Sequence, residues 1–432
     1  MMISGKTAGE IFEQIRSGVQ SGGYLPGDTL PPVRELAIAL EVNRNTVASA
    51  YKRLIEAGIA ESRGRNGTVI LGVAESVAQE GSPPDVNLID LASGNPSTSL
   101  LPDISSVISQ LKFRHRLYGE PLINAELEHY GREWLGNDIQ GDFSLSLTHG
   151  AVDAVERLLN CYLISGDRVV VEDPCFLSSI NTLKNSRLSA VGISIDEEGL
   201  NADALDAVLA SGVQAVIITP RAHNPTGWGF SATRAAQIRA LLANYPQVMV
   251  IVDDHFSLLS THEYHSVIPP ETLRWALVRS VSKFLGPDMR LAFVASDEET
   301  AKRLTIRLNA GSNWVSHLLQ DITLAALQSA TLKSAVIDAR EQYQKRRAAV
   351  SNALLNHGVT TSLKHDGVNL WLPLKQDSAG LVTQLATYGW LVRSGEVFGL
   401  DQKVHGLRIT VSDFDVQQAE VFARTLGQLI AH

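Results

Sequence analysis

The stretch Ser280-Val281-Ser282-Lys283-Phe284-Leu285-Gly286-Pro287-Asp288-Met289-Arg290 sets one lysine at the end of an apolar run, behind two hydroxyls and seven residues ahead of an arginine. A lysine after a buried strand is ordinarily a solvated strand end. Framed by Ser280, Ser282 and Arg290, it suits an amine that forms an imine with an aldehyde beside an anion site. Four earlier segments bear on the choice. Thr148-His149-Gly150-Ala151-Val152 opens an amphipathic stretch through Val155, Leu158, Leu159 and Tyr162. That is a plain helix start or one whose first free amides cradle a phosphate. Glu172-Asp173-Pro174-Cys175-Phe176 sets a ring at a strand's carboxyl end, where it can stack on a flat heterocycle. In 219–227, Asn224 falls in a tight turn after the next strand, where its amide can reach a phenolate oxygen. Ile251-Val252-Asp253-Asp254-His255 ends a fully apolar strand on a carboxylate. In this order the five features point to one cofactor, pyridoxal phosphate, whose protonated ring nitrogen pairs with a buried aspartate.

Outward from these segments, short β-branched runs at 168–172, 190–195, 215–219, 248–253, 277–281 and 291–295 each follow a helix-like stretch. Such alternation predicts an α/β domain on a mainly parallel sheet covered on both faces, with ligands at the carboxyl ends of its strands. The first 70 residues read differently. Apolar positions at Ala8, Ile11, Phe12, Ile15 and Val19 predict a helix, and Pro32 starts a second through Leu36, Ala37 and Leu40. Asn43 caps a third, from 44 to about 57, and 59–62 with 68–71 predict a hairpin. Three helices and a hairpin describe a winged helix-turn-helix. Residues 73–87 have no sustained periodicity and hold small, acidic, Gly and Pro residues, so they predict a linker between domains at 1–72 and 88–432.

Composition narrows the classes. The 432 residues are 44% hydrophobic and 19% charged, which is globular. No run approaches the roughly 18 apolar residues of a membrane span, and no signal peptide is evident, so a cytoplasmic protein with no membrane partner is expected. Cys161 and Cys175 make neither a disulfide framework nor paired zinc spacing, so no metal is expected. Residues 1–70 carry net charge +1 and the remainder −10, which confines any nucleic-acid contact to the N-terminal piece.

Over residues 8–71 the sequence resembles the GntR family of bacterial regulators, through Ile11-Phe12-Glu13-Gln14-Ile15-Arg16, residues 25–37, Asn43-Arg44-Asn45-Thr46-Val47 with Ala50-Tyr51, and 64–69. Arg44, Asn45 and Thr46 fall at the start of the third helix, where a recognition helix meets major-groove edges, and Arg and Asn suit bidentate reading of guanine and adenine. The resemblance implies that Arg34 contacts phosphate or base, and that Arg63 and Arg65 on the wing reach the backbone or minor groove. Solvated surface charge is the plain alternative.

Residues 88–432 resemble the fold-type-I aminotransferases. That resemblance makes Lys283 the Schiff-base lysine, Asp253 the partner of the ring nitrogen, Asn224 the partner of the ring hydroxyl and Phe176 the stacking ring. Gly150, Ala151, Val152, Ser280, Ser282 and Arg290 then hold the phosphate. Tyr118 matches a tyrosine that a neighbouring subunit extends to it, which implies a homodimer, and Arg408 matches an arginine that grips a substrate carboxylate. Where relatives with an Asp-Asp pair usually have a tyrosine, this chain has His255 and then Phe256. His255 either donates a hydrogen bond to the ring hydroxyl or is a strand-end histidine, and its near-neutral pKa puts efficient transamination in doubt.

The whole chain resembles the MocR-type transcription regulators, and within them a regulator of vitamin B6 salvage. The resemblance implies a regulator that binds double-stranded operator DNA and senses pyridoxal phosphate or an amino-acid effector. A working transaminase with an attached DNA-binding domain is the alternative, and a protein-binding N-terminal module is a third reading that Arg44-Asn45-Thr46 disfavours.

Overall fold

A computed structural model describes residues 3–64, 67–71, 79–82, 87–400 and 404–431. The chain forms two compact units, residues 1–77 and 78–432. In the first, helix α1 (Ala8–Gln20) begins in a capping box. Thr7 Oγ1 accepts the Glu10 amide and the Glu10 carboxylate accepts the Thr7 amide, so two orphan donors are satisfied. Helix α2 (Val33–Ala39) follows Pro32, and α3 (Arg44–Glu56) is capped by Asn43, whose Oδ1 accepts the Asn45 amide. Strands β1 (Ala60–Ser62) and β2 (Thr68–Ile70) pair antiparallel as the wing. Ile11, Ile15, Leu36, Val47, Tyr51, Leu54 and Ile70 form a core belonging to this unit alone.

The second unit holds two sheets. After β3 (Ile89–Leu91), α4 (Ser105–Ile108) and α5 (Ala125–Gly136) come β4 (Ser144–Thr148), α6 (Ala151–Tyr162), β5 (Arg168–Asp173), β6 (Ser189–Asp196) and β7 (Gly199–Leu200). Then follow β8 (Ala215–Ile218), β9 (Met249–Asp253), β10 (Trp275–Ser280) and β11 (Ala292–Ser296). The large sheet runs β4-β11-β10-β9-β8-β5-β6-β7. Its centre, β10-β9-β8-β5-β6, is parallel, and β11 is antiparallel to both neighbours. The sequence led us to expect a helix before every strand. Instead β9 reaches β10 through irregular chain with one 3-10 turn (Ser257–Leu259), and β10 reaches β11 through the one-turn helix Ser282–Leu285. A connection that short returns the chain antiparallel rather than crossing over. The smaller sheet, β12 (Asn369–Pro373), β14 (Gly406–Thr410), β13 (Trp390–Ser394) and β3, packs under the C-terminal helix Val416–Ala431 through Phe422 and Leu426. Among the described residues no helix is long and apolar enough to cross a membrane.

Residues 72–78 and 83–86, most of the expected linker, lie outside the described residues. Its described part, 79–82, is bonded into the second unit: the Gly81 amide donates to Ser93 O at 2.9 Å, and Arg393 Nη2 to Gly81 O at 2.6 Å. The tether read from composition is therefore anchored before residue 88, because backbone hydrogen bonding is invisible in a Gly- and Ser-containing stretch.

A buried ion network fixes the end of β9. Asp254, fully buried, accepts from Arg221 Nε and Nη2 at 2.7 and 2.8 Å and from Arg279 Nε at 2.8 Å. Asp254→Ala should cost about 3–5 kcal/mol in urea unfolding, since two guanidinium groups lose a buried partner. An unchanged midpoint would show that the network is not structural.

Candidate functional site

The register of the parallel strands brings the sequence segments together. Asp253 pairs with Val278, so β9 and β10 leave the sheet on the same edge, and β4, β8 and β5 end there ahead of Gly150, Asn224 and Phe176. Lys283, in the turn of helix after β10, donates from Nζ to Gly94 O at 3.0 Å. Burial lowers its pKa, as does Arg408, against Glu80 and Asp253. Burial, with the neighbouring Asp254 charge, pushes Asp253 up to about 7 against the pull of Lys283. Its Oδ1 is buried and makes no hydrogen bond among the described residues. Next to it, burial pushes Glu172 up to about 8 and His223 down to about 3. Glu172 therefore adds little negative charge at pH 7, and His223 supplies Asp253 with no cation. Asn224 is buried, and its Oδ1 accepts from Arg408 Nη1 at 2.9 Å. Arg408 has no exposure, bonds Ala92 O through Nη2 and lies 5.1 Å over the Phe398 ring.

The residues expected from sequence to hold a phosphate lie close together. Gly150 caps α6 at φ +96°, where a β-carbon would lie 2.6 Å from Arg290 Nη2. Only glycine fits both the backbone and the arginine. The amides of Ala151 and Val152 begin the helix behind it. Ser282 Oγ donates to Met289 O at 2.9 Å and lies 3.5 Å from Arg290 Nη1, while Ser280 Oγ accepts the Ser282 amide. The Phe176 and His255 rings are parallel within 11°, their centroids 6.4 Å apart. Burial, with Lys283 beside it, pushes His255 down to about 4, below the near-neutral value expected from sequence. A neutral imidazole keeps one N–H to donate, and its ring lies parallel to that of Phe176. Tyr118 does not join the cluster: it is 88% exposed, with its ring edge-on to Trp314 at 5.5 Å.

Two residues were missed by sequence reasoning. Glu80, read as linker, accepts at Oε1 from Arg408 Nη1 at 2.7 Å and Asn224 Nδ2 at 2.9 Å. No motif marks it. Gly94, at φ +68°, receives Lys283 on its carbonyl, and a β-carbon there would lie 2.7 Å from Glu80 Oε2. The Ser93-Gly94-Asn95-Pro96 turn was the available signal. The residues present fit pyridoxal phosphate: a half-buried lysine amine, a buried carboxylate oxygen lacking a partner, and a glycine-shaped cup at a helix start under an arginine.

In the winged helix, Arg34, Arg44 and Asn45 are exposed and Thr46 half-buried, with the last three in the first turn of α3. Arg63 is exposed at the wing tip, bonded to Glu61 at 2.6 Å. Arg65 lies outside the described residues.

Residues 86–426 match the family described as aminotransferase class I and II, and residues 7–70 the bacterial regulatory proteins of the gntR family. The chain is 49% identical to the vitamin B6 salvage pathway transcriptional repressor PtsJ of Salmonella typhimurium, over 99% of this chain and 100% of the relative. Among solved structures it is similar to the Pyrococcus horikoshii kynurenine aminotransferase, in complex with PMP, at TM-score 0.73 and 22% identity, covering 80% of this chain and 91% of that one. It is also similar to LysN of Thermus thermophilus, an α-aminoadipate aminotransferase complexed with N-(5′-phosphopyridoxyl)-L-leucine, at TM-score 0.70 and 19% identity, covering 80% and 92%. At these identities the structures speak to fold alone.

Two measurements follow from the geometry. A carboxyl whose folded pKa is raised withdraws stability as pH climbs from the unfolded carboxyl range toward that raised value. In cofactor-free protein, Asp253→Asn should therefore raise Tm at pH 8, by about 5 °C, and much less at pH 5; equal shifts would remove Asp253 as the titrating group. Arg44→Ala should lower discrimination between operator and random DNA by about 1–3 kcal/mol, and equal losses on both DNAs would take Arg44 out of base reading.

Proposed function

The chain belongs to the aminotransferase class I and II family and carries a gntR-family winged helix, and we propose that it is a pyridoxal-phosphate-sensing repressor of vitamin B6 salvage. The observation that carries the reading is the half-buried Lys283 beside the buried Asp253, the latter with an unpartnered oxygen. The end-to-end likeness to a B6 salvage repressor supports it. When bound, pyridoxal phosphate supplies an aldehyde, a phosphate dianion and a protonatable ring nitrogen. Lys283 holds the aldehyde and Asp253 keeps a proton on the ring nitrogen. Asn224 donates to the ring hydroxyl, and Phe176 and His255 offer flat surfaces to the ring. Gly150, Ala151, Val152, Ser280, Ser282 and Arg290 receive the phosphate. Tyr118, exposed on this subunit, reaches the phosphate of a second copy in a homodimer. Arg34, Arg44, Asn45 and Thr46 read operator DNA with the wing arginines Arg63 and Arg65. The domain limits in this reading are 1–72 and 88–432.

A second reading, a transaminase with an attached DNA-binding module, is favoured by Arg408, which sits fully buried beside Asn224 as a carboxylate grip. The absence of a hydroxyl at Phe256 and the neutrality of His255 weigh against it.

Sensing requires that the ligand bind one arrangement of the protein better than another, and coupling of about 1–3 kcal/mol changes operator affinity roughly 5–150-fold. Purified protein should be yellow, and borohydride followed by peptide mapping should label Lys283, with no label in Lys283→Ala. Pyridoxal phosphate should shift the operator affinity of wild type and not of Lys283→Ala. Operator affinity unmoved by pyridoxal phosphate or by an amino-acid panel, together with measurable amino-group turnover, would promote the transaminase.

A further inference from the structure

Residues 79–82, near the start of the second unit, deliver a carboxylate into the pocket. Glu80 Oε1 takes the hydrogen bonds of Arg408 Nη1 and Asn224 Nδ2, the two donors that an anionic oxygen of a ligand would meet. The neighbouring residues are fastened as well: Gly81 to Ser93 and Arg393, and Ser82 Oγ to Asp90 Oδ1 at 2.9 Å. Gly94 leaves the space in which Glu80 Oε2 and the Arg408 guanidinium lie together. Burial raises the Glu80 pKa, but Arg408, Lys283 and the Asn224 hydrogen bond outweigh it and hold the carboxyl below its usual range. Glu80 is thus an anion at neutral pH, set on a cation that has no exposure to water.

We propose that Glu80 is a built-in carboxylate ligand of this pocket, that a ligand bringing its own carboxylate to Arg408 displaces it, and that displacement frees residues 79–82 from the large unit. The inference rests on the ligand pocket proposed above. The exchange is like for like: one carboxylate leaves the guanidinium and another takes its place, so the charge balance at Arg408 is unchanged. The tethered group competes at an effective concentration set by the chain, and a ligand's apparent dissociation constant rises as the fraction of open pocket falls. The consequence for the DNA-reading module is a matter of reach. Glu80 lies nine residues beyond Leu71 and Ile89 lies eighteen beyond it. Moving the first anchor from Glu80 to β3 therefore doubles the greatest span of joining chain, from about 30 to about 60 Å. Occupancy of the pocket by a carboxylate-bearing ligand thereby moves the first anchor of the chain beyond the wing from Glu80 to β3.

The test uses full-length wild type, Glu80→Gln and Glu80→Ala. The probe is N-(5′-phosphopyridoxyl)-L-leucine, which carries ring, phosphate and carboxylate together, and pyridoxal phosphate is the companion without that carboxylate. Calorimetry should find the probe at least tenfold tighter on Glu80→Ala than on wild type, with Glu80→Gln between. Hydrogen exchange at the Gly81 amide should speed up when wild type is saturated with the probe, and should already be fast in Glu80→Ala. Equal probe affinity in all three proteins with unchanged exchange at Gly81, while pyridoxal phosphate still binds, overturns the inference alone. If neither compound binds any of the three, the pocket reading itself fails and this inference falls with it.

Discussion

Everything in the large unit depends on the parallel alignment of β9 with β10. Parallel neighbours end on the same side of the sheet, so residues far apart in sequence arrive at one edge without any loop having to search for another. Lys283 and Asp253 meet because their strands stop together, and Asn224, Phe176 and Gly150 arrive on strands running the same way. The antiparallel return of β11 follows from the same geometry: a single turn of helix after β10 is enough to hold the lysine, and too short for a crossover. The functional cluster is therefore a property of strand direction before it is a property of side chains.

Within that frame the electrostatics are arranged by subtraction. Glu172 and His223 are buried so deeply that both shed their charge, and His255 does the same. Charge remains on Lys283 and Asp254 beside Asp253 and on Glu80 and Arg393 beside Arg408, and among these groups Asp253 is the one whose ionisation lies near neutrality. A cationic heterocycle beside it would supply the partner that its buried oxygen lacks.

Much of this was legible in the sequence, and for physical reasons. Asn43 before Arg44 announced a helix start because a cap acts within a few residues, and the apolar spacing from Ala8 to Val19 announced another, whose Thr7–Glu10 capping box went unread. The pocket residues were legible because each follows an apolar strand, and burial at a strand end is written in the run that precedes it. Glu80 was not legible: its role comes from Arg408, 328 residues away, and nothing local distinguishes it from any acidic linker residue. His255 was half legible. Its position was plain, but its neutrality and its parallel stacking with Phe176 come from the packing of separate elements, which a single strand cannot disclose.

The adjacent carboxylates of Asp253 and Asp254 do opposite work, one open to a ligand and one locked between Arg221 and Arg279. Successive side chains of extended chain point to opposite faces, so the two meet different partners, although the charge of Asp254 still acts on Asp253. A ligand at the first would leave the guanidinium partners of the second in place, so the sheet would be a poor carrier of the news. Any message of occupancy has to leave through the rim of the pocket, where short segments rather than strands do the listening.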